Sequence, residues 1–220
     1  MFHVIDNLLT PEEVAHLRQF CASHKFVDGK ISNEEFELKN NLQSNLQDAG
    51  AQQASGLVQN ALVRNEWVRD VCLPKSLAAP MLSKYTPDMH YGEHVDTHLV
   101  AGAPPVRVDV SCTIFINDPV DYDGGELMVR MGDKSLTAKE KSGAAVFYPS
   151  TQFHRVNKVT RGERLAAITF IQSHIRDMHA REILFQLQDF LHNYGSSFSD
   201  EALMQLEFVR TNLLRMWYED

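Results

Sequence analysis

Residues 106–116, VRVDVSCTIFI, place Val106, Val108, Val110, Cys112, Ile114 and Ile116 at alternate positions, with Arg107, Asp109, Ser111, Thr113 and Phe115 between them. Side chains alternate between faces along a strand, so this spacing describes an extended segment with an apolar face to be covered and a second face of different character. The neighbouring stretches repeat the pattern in shorter form. DYDGGELMVRM (121–131) turns at Asp123-Gly124-Gly125 into a strand, and Gly132-Asp133 supplies a tight hairpin connection. GAAVFYP (143–149) and RLAAITFIQ (164–172) complete a block of short strands between Pro80 and Ser173. Short strands at this spacing, with helices only outside them, imply a mainly β fold with flanking α: a sandwich or barrel-like double sheet rather than a parallel α/β sheet.

Working outward, the N-terminal side opens on a helix. Thr10 is its N-cap, Pro11 its first residue and Glu13 closes a capping box, with Val14, Leu17 and Cys21 on one face. A second helix is expected from about Gly56 to Val71 through Val58, Leu62 and Trp67. The polar stretch 31–54, rich in Asn and Gln, reads as a loop, either a solvated one or a mobile lid carrying Lys39, Asn40 and Asn41. Beyond Ile175 the period becomes helical, with Ile183, Leu184, Leu187, Phe190 and Leu191 before a break at Tyr194-Gly195. Ser199 caps a last helix, Asp200 and Glu201 complement its dipole, and Leu203, Leu206, Val209, Leu213 and Trp217 form its stripe. This hairpin either packs on the barrel or joins two copies as a homo-oligomer. The division expected is a main domain over 1–174, its β core at about 80–173, and a helical extension over 175–220.

The bulk properties exclude several classes. A chain of 220 residues, 44% apolar and 23% charged, builds one substantial core. Its net charge of −8 argues against a phosphate-backbone binder, so no nucleic-acid partner is expected. Cys21, Cys72 and Cys112 form no CxxC pair and read as free thiols, which suits a reducing cytoplasm. MFHVIDNLLTPEE has no basic start, and no run approaches the roughly 20 apolar residues of a membrane span, so neither a secretory signal nor a membrane partner is expected.

The chemistry concentrates in YGEHVDTH (91–98) and YPSTQFHRV (148–156). Read as a strand, the first puts His94 and Asp96 on one face, roughly 6.5 Å apart at the backbone. A metal above that face takes one imidazole nitrogen and one carboxylate oxygen at about 2 Å. His154, following a strand and a turn, is the natural third ligand from a neighbouring strand. His98 shares the face but stands about 13 Å from His94 along a continuous strand, too far without a sharp bend. His90 and His94 suit a helical zinc pair, against which Gly92 and the β context speak. Two His and one carboxylate leave coordination sites open, the arrangement of non-haem iron(II) oxygenases.

Arg164, ten residues after His154, has apolar Ala166 and Ile168 on its own strand face, where a cation is costly unless it meets an anion. Alternatively it is a surface residue just before the strand. Its fork suits a dicarboxylate's far end, and Tyr85 either adds a hydroxyl to the same carboxylate or is a core tyrosine. Arg155, Lys158 and Arg161 either attract an acidic substrate or form a solvated turn.

HxD at 94–96, the distal His154, Arg164 ten residues on, and the linking DGGEL and SGAAVFYPSTQFHRV together resemble the 2-oxoglutarate and iron(II) dioxygenases of the prolyl 4-hydroxylase type. The likeness is greatest to the bacterial PKHD-type hydroxylases, with VDGK, LKNNLQ and the tail after IQSHIRD included. The resemblance implies a double-stranded β-helix (jelly roll), Fe(2+) at His94, Asp96 and His154, 2-oxoglutarate at Arg164, and L-ascorbate as reductant. It further implies O2 as oxidant and hydroxylation of an unidentified peptidyl residue, amino acid or iron-chelating small molecule, with release of succinate and CO2. Two rivals are a non-catalytic metal-binding jelly-roll module and a zinc hydrolase; the latter lacks HExxH and a nearby helical Glu to act as base.

Overall fold

The computed structural model describes residues 1–32 and 38–219. Eight strands build its centre: β1 Met81–Tyr85, β2 His90–His94, β3 Val110–Phe115, β4 Leu127–Met131, β5 Lys134–Ala138, β6 Ala145–Pro149, β7 His154–Val156 and β8 Arg164–Ser173. Every pairing among them is antiparallel. The major sheet runs β6-β3-β8-β1, extended by His3–Ile5 beside β6 and by Leu42–Gln43 and then Val27–Asp28 beside β1, while Pro74–Leu77 also pairs with β8. The minor sheet runs β5-β4-β7-β2 and ends on Lys39–Asn40. These facing sheets form the expected jelly roll.

The alternation in 106–116 separates two environments. Val110, Cys112 and Ile114 join Leu17, Val58, Leu62 and Phe147 in the apolar layer between the major sheet and the N-terminal helices. Ser111, Thr113 and Phe115 face the space between the sheets, where Phe115 packs with Leu127, Val129 and Tyr148. β3 is thus buried on both faces, and the strand is shorter than its alternating pattern, since Val106–Arg107 pairs separately with Leu99–Val100. Helix α1, Pro11–Ser23, carries the expected capping box, with Thr10 Oγ1 accepting from the Glu13 amide and the Glu13 carboxylate accepting from the Thr10 amide.

The reading of 31–71 requires correction. Instead of one helix from Gly56 there are two, α2 Ala49–Arg64 and α3 Glu66–Cys72. Asp48 caps the first by accepting from the Ala51 amide, and Asn65 ends it and caps the second by accepting from the Val68 amide. Nor is 31–54 a continuous loop. Lys39–Asn40 pairs with β2 and Leu42–Gln43 with β1, so the segment bridges the two sheets, while residues 33–37 of the expected lid lie outside the described residues. A polar strand escapes a reading that looks for apolar alternation. Here Lys39, Asn41 and Gln43 are the buried members, whereas Leu38 is exposed.

At the C-terminal end, α4 Met178–Tyr194 and α5 Asp200–Trp217 form the expected hairpin, with Ser199 accepting from the Ala202 amide. Leu213, Leu214 and Trp217 pack on Ile175, Ala180 and Leu184. None of the α5 residues is fully buried, and Met204, Phe208 and Met216 are more than 60% exposed.

The Gly124-Gly125 turn is a sharp local constraint. Gly124 has φ +72°, and a Cβ there would lie 2.0 Å from the Lys158 carbonyl oxygen. Gly132, first residue of the β4–β5 hairpin turn, also has positive φ (+65°) but open space around it. Gly124→Ala is therefore expected to cost more than the roughly 1–3 kcal/mol of a left-handed non-glycine residue alone, lowering the melting temperature by several degrees. Gly132→Ala should cost only the conformational part. Calorimetry that found the two variants equally stable would contradict this packing.

Candidate active site

The chain brings the three sequence-derived ligands together. His94 ends β2, His154 opens β7, and the register of the two strands sets them directly opposite one another. The Asp96 Oδ1 lies 3.9 Å from His94 Nε2 and 3.6 Å from His154 Nε2, and the three ligand atoms all fall within 4.8 Å of one another. One ion with bonds of about 2 Å draws such a set together by small side-chain rotations. This is the one grouping of three potential metal ligands found among the described residues. One detail differs from the strand reading: β2 stops at His94, so Asp96 sits beyond the strand rather than on it.

Each imidazole is oriented from behind. His94 Nδ1 is 2.8 Å from the Gly92 carbonyl and His154 Nδ1 is 3.0 Å from the Gln152 carbonyl. A carbonyl only accepts, so both Nδ1 atoms carry the proton and both Nε2 lone pairs face Asp96. The Tyr91 ring stacks on His94 at 3.7 Å, and Tyr148 borders His154 at 5.1 Å. Asp96 Oδ2 accepts from Ser111 Oγ at 2.5 Å. Burial, followed by the neighbouring His154, pushes the His94 pKa down to about 4. Burial raises that of Asp96, against the attraction of His154 and the Ser111 hydrogen bond.

The triad opens into a cavity of about 440 Å³ between the sheets, walled by Tyr85, Tyr91, Thr113, Tyr148, Ile168 and Phe170 and closed on one side by Lys39 and Asn41. That volume suits a small ligand. Arg164 pairs directly across from Tyr85 between β8 and β1, and its guanidinium lies 5.1 Å from the Tyr85 ring and 5.7 Å from that of Phe115. The residue is fully buried, no carboxylate pairs with it, and its three guanidinium nitrogens make no hydrogen bond of good geometry among the described residues, although the Tyr122 hydroxyl interacts with the guanidinium. This disposes of the surface-Arg reading. A buried cation left in this state is strongly unfavourable and marks a position for an anion. Burial raises the Tyr85 hydroxyl to about 12, with Arg164 opposing, so it stays protonated and able to donate.

Other sequence candidates lie elsewhere. His98 lines a separate cleft with Arg107, Arg176 and Trp217 on the far side of Asp96, and His90 turns to the Asp88 carbonyl. The basic run is solvated and paired: Lys158 with Asp88, Arg161 with Asp123, Arg155 with Asn157. Residues that the sequence reading did not single out are Tyr91, Tyr148 and Gln43; Lys39 and Asn41, read there as part of a lid, form a buried inward row with Gln43. Burial pulls Lys39 down to about 8. The signal for that row was the period of two in LKNNLQ, with polar residues in phase.

The pKa shift of His94 sets a pH dependence. The unfolded chain protonates this imidazole near 6.5 and the folded chain near 4, so the unfolded state binds more protons between those values. The stability contributed by neutral His94 is complete above about 6.5 and lost as pH falls toward 4; the raised Asp96 acts in the opposite sense. Thermal melts of metal-free protein should show stability declining across that window, less steeply in His94→Gln. An identical slope in the variant would contradict the assignment.

The family model for the 2OG-Fe(II) oxygenase superfamily matches residues 80–172. A PKHD-type hydroxylase of Sphingopyxis alaskensis is 44% identical, over 99% of both chains, and one of Picosynechococcus is 37% identical over the full length of both. Among solved structures, a Pseudomonas putida prolyl-4-hydroxylase aligns at a TM-score of 0.56 and 16% identity, over 78% of this chain and 92% of its own. HygX of Streptomyces hygroscopicus, solved with nickel and 2-oxoglutarate, aligns at 0.55 and 17%, over 79% of this chain and 84% of its own. At these identities the structural likenesses establish the fold alone.

Proposed function

The chain belongs to the PKHD-type hydroxylases and is an Fe(II)- and 2-oxoglutarate-dependent dioxygenase, and we propose that His94, Asp96 and His154 hold its iron while Arg164 holds the far carboxylate of 2-oxoglutarate. The observation that carries the second assignment is the buried guanidinium beside Tyr85, with no carboxylate paired to it among the described residues. Its planar fork offers two parallel donors to a carboxylate, and the Tyr85 hydroxyl adds a third. When bound, ferrous iron supplies the activation of O2 and the oxidative decarboxylation of 2-oxoglutarate that together hydroxylate the substrate. The protein's share is positioning and exclusion of water. The two Nε2 atoms and Asp96 Oδ1 occupy one side of the site, Tyr91 and Tyr148 wall the imidazoles, and the remaining directions face the cavity.

The substrate in this reading is a small molecule or a peptidyl side chain entering the same cavity. L-ascorbate is the reductant that returns iron to the ferrous state after uncoupled turnovers. The 175–220 extension walls the cleft beyond Asp96, which Arg176, Met178 and Trp217 help to line. A reducing cytoplasm is supported by three buried thiols without disulfides, two of them raised to about 12 by burial. Among the described residues, no helix is long and apolar enough to cross a membrane.

The exposed apolar residues of α5 support a homo-oligomer through the C-terminal helices. Light scattering at twice the chain mass would bear this out, and the monomer mass would rule it out.

Asp96→Ala is expected to abolish iron-dependent conversion of 2-oxoglutarate to succinate. Arg164→Met should mainly raise the 2-oxoglutarate requirement, by about tenfold or more, since a charge-assisted hydrogen bond contributes about 1.5–3 kcal/mol. Anaerobic titration, following the visible band that 2-oxoglutarate develops on ferrous protein, measures that affinity directly. Succinate production unchanged in both variants would refute the assignments.

A further inference from the structure

Asp96 lies beyond the end of β2, so sheet pairing does not hold it. A hydrogen-bonded chain from the opposite sheet does. Ser111 Oγ donates to Asp96 Oδ2 at 2.5 Å, and Ser111 Oγ lies 2.7 Å from Ser150 Oγ. A carboxylate only accepts, and a serine hydroxyl has one proton to give. The Ser111 proton is committed to Asp96, so the second bond must be donated by Ser150. The chain therefore runs in one direction, Ser150 to Ser111 to Asp96. Ser111 is fully buried and Ser150 is 3% exposed, so solvent does not compete for these groups.

We infer that Ser111, backed by Ser150, is a positioning residue that presents Asp96 to the metal through a single oxygen. The inference rests on the iron reading above. Oδ1 faces both Nε2 atoms, and Oδ2 is engaged on the other side. A carboxylate whose second oxygen is unrestrained can turn both oxygens to an ion and fill a further coordination position, one that a two-point co-substrate and O2 need. Ser111 stands between Val110 and Cys112 on the inward face of β3, a face that Phe115 fills with an apolar ring. The Ser111 hydroxyl serves the aspartate.

The test is an anaerobic titration of metal-stripped protein with ferrous ion, and in parallel with cobalt(II) followed by its visible spectrum. Ser111→Ala should weaken ferrous binding by about 10–100-fold, the range for lost partners of metal-ligating side chains, and shift the cobalt spectrum toward higher coordination. Ser111→Thr, which keeps the hydroxyl, should restore affinity and spectrum. Ser150→Ala should weaken binding in the same direction but less. Wild-type affinity and spectrum in folded Ser111→Ala would overturn the inference, as would a folded Ser111→Thr no better than the alanine variant. Should Ser111→Ala fail to fold, wild-type affinity in Ser150→Ala overturns it. Failure of the wild-type protein to bind ferrous ion is a separate result, which removes the metal assignment and this inference with it.

Discussion

The site depends on the register between β2 and β7, which sets His94 opposite His154. Side chains on a strand alternate with a period of two, so a slip of one residue would turn one imidazole out of the cavity and leave two ligands too far apart to share an ion. Register is held by neighbours on both sides: β7 pairs with β4 from Val129 to Leu127, and β2 pairs with Lys39–Asn40. The Gly124-Gly125 turn, where backbone approaches the Lys158 carbonyl too closely for a side chain, fixes the strand leading into β4. Features remote from the metal site thus determine its geometry.

A second constraint is electrostatic. The cavity holds His94, Asp96 and Lys39 in surroundings that penalise charge: His94 is kept neutral, Asp96 is opposed by burial and Lys39 is pulled down, while Arg164, buried against Tyr85, has no anion beside it among the described residues. Such an arrangement is unfavourable in isolation and, in the proposed reading, would become favourable with a cation among His94, Asp96 and His154 and a carboxylate against the guanidinium.

The alternation in VRVDVSCTIFI, the turn glycines and the flanking helix caps made the double sheet legible in the sequence, because each is a local signal with a fixed period or geometry. The convergence of His94, Asp96 and His154 and the burial of Arg164 were legible for a similar reason. His and Asp two apart, a second His after a strand, and an Arg among apolar residues each violate what a structural strand would hold. The bridge at 39–43 was not legible as a strand, since its buried residues, Lys39, Asn41 and Gln43, are polar, against the usual pattern. The helix break at Asn65 was missed because Asn is tolerated within helices and its capping role emerges only from the bond to the Val68 amide. Nor was the end of β2 before Asp96 foreseen, and the Ser111 hydrogen bond that replaces sheet pairing there joins residues 15 apart in sequence.

The most direct test is X-ray absorption on anaerobically prepared ferrous protein, with one metal per chain confirmed by native mass spectrometry. The account predicts a nearest shell of nitrogen and oxygen only, with outer-shell scattering from two imidazoles that drops to one in His154→Ala. A shell containing sulfur, or an imidazole count unchanged by that substitution, would contradict it.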